Sequence, residues 1–132
     1  MFNENNPYKR YRQTQIETAS QLELIIMMYD GAIRFCNQGK TAIEEKKYNE
    51  ANKLLQRAQD IVDELNVSLN MDAGEIATHL RSLYDFINTK LVEANVRKDP
   101  ALIDHAVGLL TELRSSWMAL QKGQKKAVSV GE

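Results

Sequence analysis

Between Leu22 and Phe35 the chain reads L-E-L-I-I-M-M-Y-D-G-A-I-R-F, which is too apolar for an ordinary surface helix. One stripe at three-and-four spacing runs Leu22, Ile25, Ile26, Tyr29, Ile33 and Cys36; a second runs Leu24, Met28, Gly31 and Phe35, with Met27 beside it. Both stripes fit a helix. A helix packed on one neighbour needs one stripe, and a helix apolar on most sides needs neighbours on most sides. The stretch is therefore enclosed in a helical bundle, or it offers part of its surface to something outside the chain.

The rest of the chain supplies the neighbours. Ser20 and Glu23 have the spacing of a capping box, so the first helix is expected to start after Ser20 and run to about Lys46. Gly31 and Gly39 inside it each cost about 1 kcal/mol against alanine, which implies a gain such as close approach of a neighbouring backbone. A second helix is expected from about Asn49 to Leu69, with Ala51, Leu54, Leu55, Ala58, Ile61, Val62, Leu65 and Leu69 on one face. After a turn in which Asp72 and Glu75 serve as cap and third-position acid, a third runs from about Gly74 to Lys98. Its stripe is Ile76, Leu80, Leu83, Ile87, Leu91 and Ala94, widened by Ala77, Tyr84 and Phe86. Asp99-Pro100 is an N-cap with proline at the first helical position, and it opens a fourth helix carrying Leu102, Ala106, Leu109, Leu110, Leu113, Trp117 and Leu120. Short links force antiparallel neighbours. The expected fold is all-α: an up-down-up-down four-helix bundle over residues 20–122, an irregular N-terminal arm over 1–19 and a mobile tail over 123–132.

At 132 residues this is one domain, large enough for a core without metal or disulfide. A net charge of -1 argues against an electrostatic grip on nucleic acid. Long apolar runs are absent, so no membrane insertion is expected, and the start lacks the apolar core of a secretion signal, so the protein is expected in the cytoplasm. Cys36 sits on the core stripe of the first helix and is expected to be a buried hydrophobe. No metal, cofactor or catalytic set emerges: Glu75 and His79 have the wrong spacing for a di-metal bundle, and His105 has only Asp104 beside it. The glycines are scattered rather than gathered into a phosphate loop. The nearest enzymatic alternative is a toxin-type helical ribonuclease of the HEPN kind built on Arg97 and His105. Seven residues separate the two, and Asp99-Pro100 breaks the helix between them. A self-associating structural bundle is the other alternative.

What remains is surface. Apolar residues in excess of a four-helix core mark a binding groove, and methionines suit one because they repack around a guest. Leu24, Met27, Met28, Leu80 and Tyr84 are the groove candidates, and Tyr8, Tyr11 and Ile16 in the arm (which also carries Phe2) are candidates for a movable cover. Leu22, Ile25, Leu55, Ile61, Leu65, Leu83, Ile87, Leu113 and Trp117 are assigned to the core.

Several stretches resemble the flagellar secretion chaperone family FliS. They are Tyr11-x4-Ile16-x-Thr18-Ala19-Ser20; Leu22 to Ile33, ending Met28-Tyr29-Asp30-Gly31-Ala32-Ile33; Ala58-Gln59-x-Ile61-Val62-x-Glu64-Leu65 with Ser68-Leu69; Glu75-Ile76-Ala77, Leu80, Leu83-Tyr84-Asp85-Phe86-Ile87, Leu91 and Ala94-Asn95; and Leu113-Arg114 with Trp117. The likeness covers roughly residues 8–120 in order, and it departs at Gln21, where the family often has proline. The resemblance implies a non-enzymatic chaperone that binds the disordered C-terminal segment of flagellin, blocks its early polymerisation and helps deliver it to the type III export gate. It implies further flagellar proteins as partners, no cofactor, a free form that is a monomer or weak homodimer, and an arm whose Tyr11 lies over the binding surface when the client is away.

Overall fold

The computed structural model describes residues 6–130; Phe2 lies outside them. Among the described residues there are four long helices, α1 (Pro7–Glu44), α2 (Tyr48–Val67), α3 (Glu75–Arg97) and α4 (Pro100–Val130), with a 3-10 turn, Met71–Ala73, ahead of α3. Helix α1 packs on α2 and α4, and α3 packs on the same two, while the diagonal backbones stay apart among the described residues. Joined by links of two to seven residues, these are antiparallel neighbours, as the sequence implied. Side-chain amides along the α2–α3 seam record the direction. Asn95 donates to Asn52 (2.7 Å), Asn88 to Asp63 (2.6 Å) and Asn66 to Asp85 (2.9 Å), so numbers rise on one helix as they fall on the other.

The first helix starts fourteen residues earlier than the capping-box reading, so residues 7–19 are helical rather than an irregular arm. Its cap is Asn6, extended at φ -77 and ψ 110, whose side chain accepts the Tyr8 N–H at 3.0 Å, with Pro7 at the first helical position. Pro7 favours an extended Asn6, and that is the geometry of an N-cap. Thr14 and Thr18 turn their hydroxyls back onto the carbonyls of Arg10 and Thr14, each at 2.9 Å, so neither side chain opposes the helix. Ser20 and Glu23 are therefore interior positions. At the other end α4 runs through Gly123 to Val130 rather than stopping near residue 122. Two further caps differ. Lys47, not Asn49, precedes α2, and Asn70 caps the 3-10 turn by accepting the Asp72 N–H at 3.1 Å. Gly74 then enters α3 at φ +77 and ψ -135, a conformation closed to side chains with a Cβ. The Asp99 cap is as read, accepting the Ala101 N–H at 3.0 Å.

The core is one cluster in which Tyr29, Cys36, Leu55, Val62, Ile87, Leu91, Ile103 and Leu110 are fully buried. On α3 the inward line is Ala77, Tyr84, Ile87, Leu91 and Ala94; the last three are as read in sequence, and at the start of the helix Ala77 and Tyr84 take the places of Leu83 and of Ile76, which is 69% exposed. Leu83 is only half-buried, as are Ile25, Ile61, Leu113 and Trp117. The α1–α2 seam is the tightest. A Cβ on Gly39 would stand 2.9 Å from a Leu55 methyl, and one on Gly31 would stand 3.2 Å from the Ile61 Cδ1. Side chains, rather than a neighbouring backbone, fill the space the glycines leave. Across α1 and α4 run two ion pairs, Lys40 with Asp104 (2.8 Å) and Arg114 with Asp30, exposed enough to contribute little.

Gly39→Val should lower stability by about 1–3 kcal/mol, because Leu55 has no exposed surface into which to retreat. Gly108→Ala, where an added Cβ meets nothing within 4 Å, should instead raise it by up to about 1 kcal/mol. Urea melts of the two variants check the pair.

Candidate functional site

Unequal helix lengths open the candidate site. In an antiparallel bundle the start of α1, the end of α2, the start of α3 and the end of α4 share one end. There α1 (38 residues) and α4 (31 residues) run on, while α2 (20 residues) and α3 (23 residues) turn back on each other. Apolar side chains of α1 near this hairpin are left half covered. The result is a cleft of about 430 Å³. One wall is Gln21, Leu24, Ile25 and Met28 of α1; the other is Ile76, Ala77, Leu80 and Tyr84 of α3. Leu65, Ser68, Leu69, Asn70 and Ala73 close it from the α2–α3 hairpin, and Trp117 reaches in from α4. No side chain in this lining carries a formal charge. A wider hollow of about 740 Å³ on the α1–α2 face is built differently, with Asp30, Arg34, Glu45 and Glu50 in its walls. Charged walls hold water; the uncharged cleft is the place where an apolar guest gains by leaving water.

A polar cluster lies behind the cleft, where Tyr84 and Trp117 of its lining meet Tyr29 of the core. The Trp117 Nε1–H donates to the Tyr29 hydroxyl at 3.1 Å, and the Tyr29 and Tyr84 hydroxyl oxygens lie 2.6 Å apart. The two phenol rings are tilted at 46° with centroids 6.4 Å apart. Tyr29 is wholly buried and Tyr84 is 1% exposed, so burial raises both phenol pKa values above the ordinary tyrosine range. The same cause pushes the Cys36 thiol up to about 12, which makes it a packed apolar group rather than a nucleophile at neutral pH.

Of the residues singled out in the sequence, Leu24, Met28, Leu80 and Tyr84 come together around the cleft. Met27 does not; it is 61% exposed on another side of α1. Tyr8, Tyr11 and Ile16 lie on the leading turns of α1, each more than half exposed, and none of them lines the cleft. Ile25, Leu65 and Trp117, assigned to the core, are walls as well as core, and Ile76, placed on an inward stripe, stands at the mouth. Leu69, Ala73 and Ala77 also line it, and only their place beside the α2–α3 turn could have marked them. Arg97 pairs with Glu93 of its own helix at 3.5 Å, and His105 is exposed on α4.

Compared with known proteins, the chain matches the family model described as flagellar protein FliS over residues 4–124. It is 32% identical over 121 residues to the flagellar secretion chaperone FliS of Bacillus subtilis, covering 92% of this chain and 90% of that one. Against the FliS chaperone of Salmonella typhimurium the identity is 33% over 115 residues, covering 83% and 85%. The fold is similar to a crystal structure of a bacterial flagellar chaperone, at a TM-score of 0.77 and 24% identity over 88% of this chain and 95% of that one. No described helix is long and apolar enough to cross a membrane.

Buried neutral phenols and a buried thiol make stability depend on alkaline pH. Groups whose folded pKa lies above the free value contribute fully below that value and lose the contribution as pH rises past it. The melting temperature should thus hold up to about the free thiol and phenol values of 9.0 and 10.0, then fall steadily above them. Tyr29→Phe should blunt the fall, and melting curves between pH 7 and pH 11 read both effects.

Proposed function

The chain belongs to the FliS family of flagellar secretion chaperones, and on that premise we propose that its apolar cleft seats the C-terminal segment of flagellin. The observation that carries the reading is the uncharged cleft between α1 and α3. A disordered segment that folds as an amphipathic helix places apolar anchors at three-and-four spacing, and troughs between helices accept such anchors. The cleft takes a few side chains, and the guest continues past exposed Leu24 and Ile76 along the bundle. Covering the apolar face of flagellin removes the surface with which subunits polymerise. The chaperone thus keeps its client monomeric in the cytoplasm and hands it to the type III export gate. Ordering the segment costs about 2–5 kcal/mol, which burial of roughly 1,000–3,000 Å² offsets.

The leading turns of α1 supply the cover. Every side chain described between Pro7 and Ser20 is exposed, and a short solvent-facing stretch of helix draws little stability from tertiary packing. Rearrangement of this solvent-facing stretch brings Tyr8, Tyr11 and Ile16 back over the cleft when the client is away. A docked cover lowers the apparent affinity by its own docking free energy and so eases release at the gate.

Titration calorimetry of the full chain against a flagellin C-terminal peptide tests the reading. The expected result is one peptide per chain, with a negative heat-capacity change. Leu24→Glu should weaken binding at least about tenfold without moving the melting temperature, because a carboxylate at the mouth of an apolar cleft must be desolvated by the guest. Leu55→Ala, in the core, should cost about 2–5 kcal/mol of stability instead. Absence of binding by the wild-type chain would defeat the assignment.

A further inference from the structure

The cleft opens onto the seam between α1 and α2, and an apolar row runs out of it along that seam. Leu24, Met28, Gly31 and Phe35 follow one another at three-and-four spacing, so they share one side of α1. The first two line the cleft. Past them α2 runs alongside. A Cβ on Gly31 would meet the Ile61 Cδ1 at 3.2 Å, and the Arg57 guanidinium carbon stands 5.7 Å from the centre of the Phe35 ring. Ile61 and Phe35 are half-buried, while Leu24 and Met27 are more than half exposed. The apolar surface that begins in the cleft thus continues about 10 Å along the bundle, from Met28 to Phe35.

Charge enters at the far end of this row. The Arg34 guanidinium carbon lies 5.2 Å from the same ring centre, so two cations attend Phe35. Among the described residues neither pairs with a carboxylate, whereas Arg97 and Arg114 each do. A ring attracts a cation without neutralising it. Each guanidinium keeps five donors and has no acceptor of its own. Both side chains are long and exposed, so their heads can turn to one anion at the open edge of the ring. On the reading of the cleft as the client's seat, we infer that the client continues from the cleft along the α1–α2 seam and sets one acidic side chain between Arg34 and Arg57.

The surroundings select a single carboxylate over a run of phosphates. A polyanion needs a row of cations. Here Asp60 and Glu64 stand one and two turns on from Arg57, and Asp30 stands one turn before Arg34. These acids repel a chain of negative charges and leave a place for one. The pair of arginines also does what the apolar row cannot. Apolar anchors slide past one another at little cost, whereas a charge that must meet its partner fixes register. Two helical turns separate Met28 from Phe35, so the client's acid lies about seven residues from the anchor that it drops into the cleft.

Calorimetry of the full chain with the flagellin C-terminal peptide, at low and at high salt, tests this. Arg34→Gln/Arg57→Gln should bind about tenfold more weakly at low salt with an unchanged melting temperature, and should lose most of the salt dependence of wild type. One acidic position of the peptide, changed to its amide, should cause the same loss against wild type and none against the double variant. Should the double variant fail to fold, Arg57→Gln alone takes its place, with a loss of about threefold and the same coupling. Wild-type affinity and salt dependence in the arginine variant overturn the inference alone, as does a peptide in which no acidic position couples to the arginines. A wild-type chain that ignores the peptide overturns the reading of the cleft and this inference with it.

Discussion

The hydrogen-bonded meeting of Tyr29, Tyr84 and Trp117 is the point from which the rest of the bundle is set. Among the described residues it joins α1 to α3 by a side-chain hydrogen bond across the centre, where the two backbones do not approach each other. Because α4 joins through the indole, three helices are fixed in rotation about their own axes by groups that have few alternative partners. Apolar contacts alone tolerate a helix turning by a fraction of a residue; a directed bond in a dry interior does not. That constraint explains why the inward line of α3 passes through Tyr84 rather than Leu83, and why Leu80 then faces the cleft.

The cleft follows from the same constraint combined with helix length. Once Tyr84 is held inward, Leu80 and Ala77, one and two turns before it, must face α1. The α2–α3 hairpin ends before it can cover the α1 residues opposite. Filling the opening from within would need a longer hairpin, and the chain places Ser68 to Gly74 there instead. Gly39 and Gly31 meanwhile let α2 sit close on α1, so the covered and uncovered sides of α1 differ sharply.

Much of this was legible in the sequence: the number of helices, their order, the Asp99-Pro100 start and the surplus of apolar surface on α1 and α3. The leading turns of α1 were not. Hydrophobic periodicity reports what a helix packs against, and the described side chains between Pro7 and Ser20 face solvent, so a real helix left no pattern. The cue was present in Asn6-Pro7, a cap and first-turn proline of the kind that was read correctly before α4. The cleft was half legible. Two stripes on α1 both fitted a helix, and which of Met27 and Met28 faces a neighbour depends on where α3 stands, which no local pattern states. The pairing of Tyr29 with Tyr84, 55 residues apart, is likewise a tertiary fact.

The amide seam between α2 and α3 has a consequence for the conditions under which the bundle keeps its shape. Four side-chain bonds cross it among the described residues, Asn52 with Asn95, Asp63 with Asn88, Asn66 with Asp85 and Asn66 with Arg81, and each sets an amide against an amide, a carboxylate or a guanidinium, never a cation against an anion. Mobile ions weaken attraction between opposite net charges and leave dipolar bonds nearly untouched. The wall of the cleft that α3 provides therefore holds its register in dilute buffer and in concentrated brine alike.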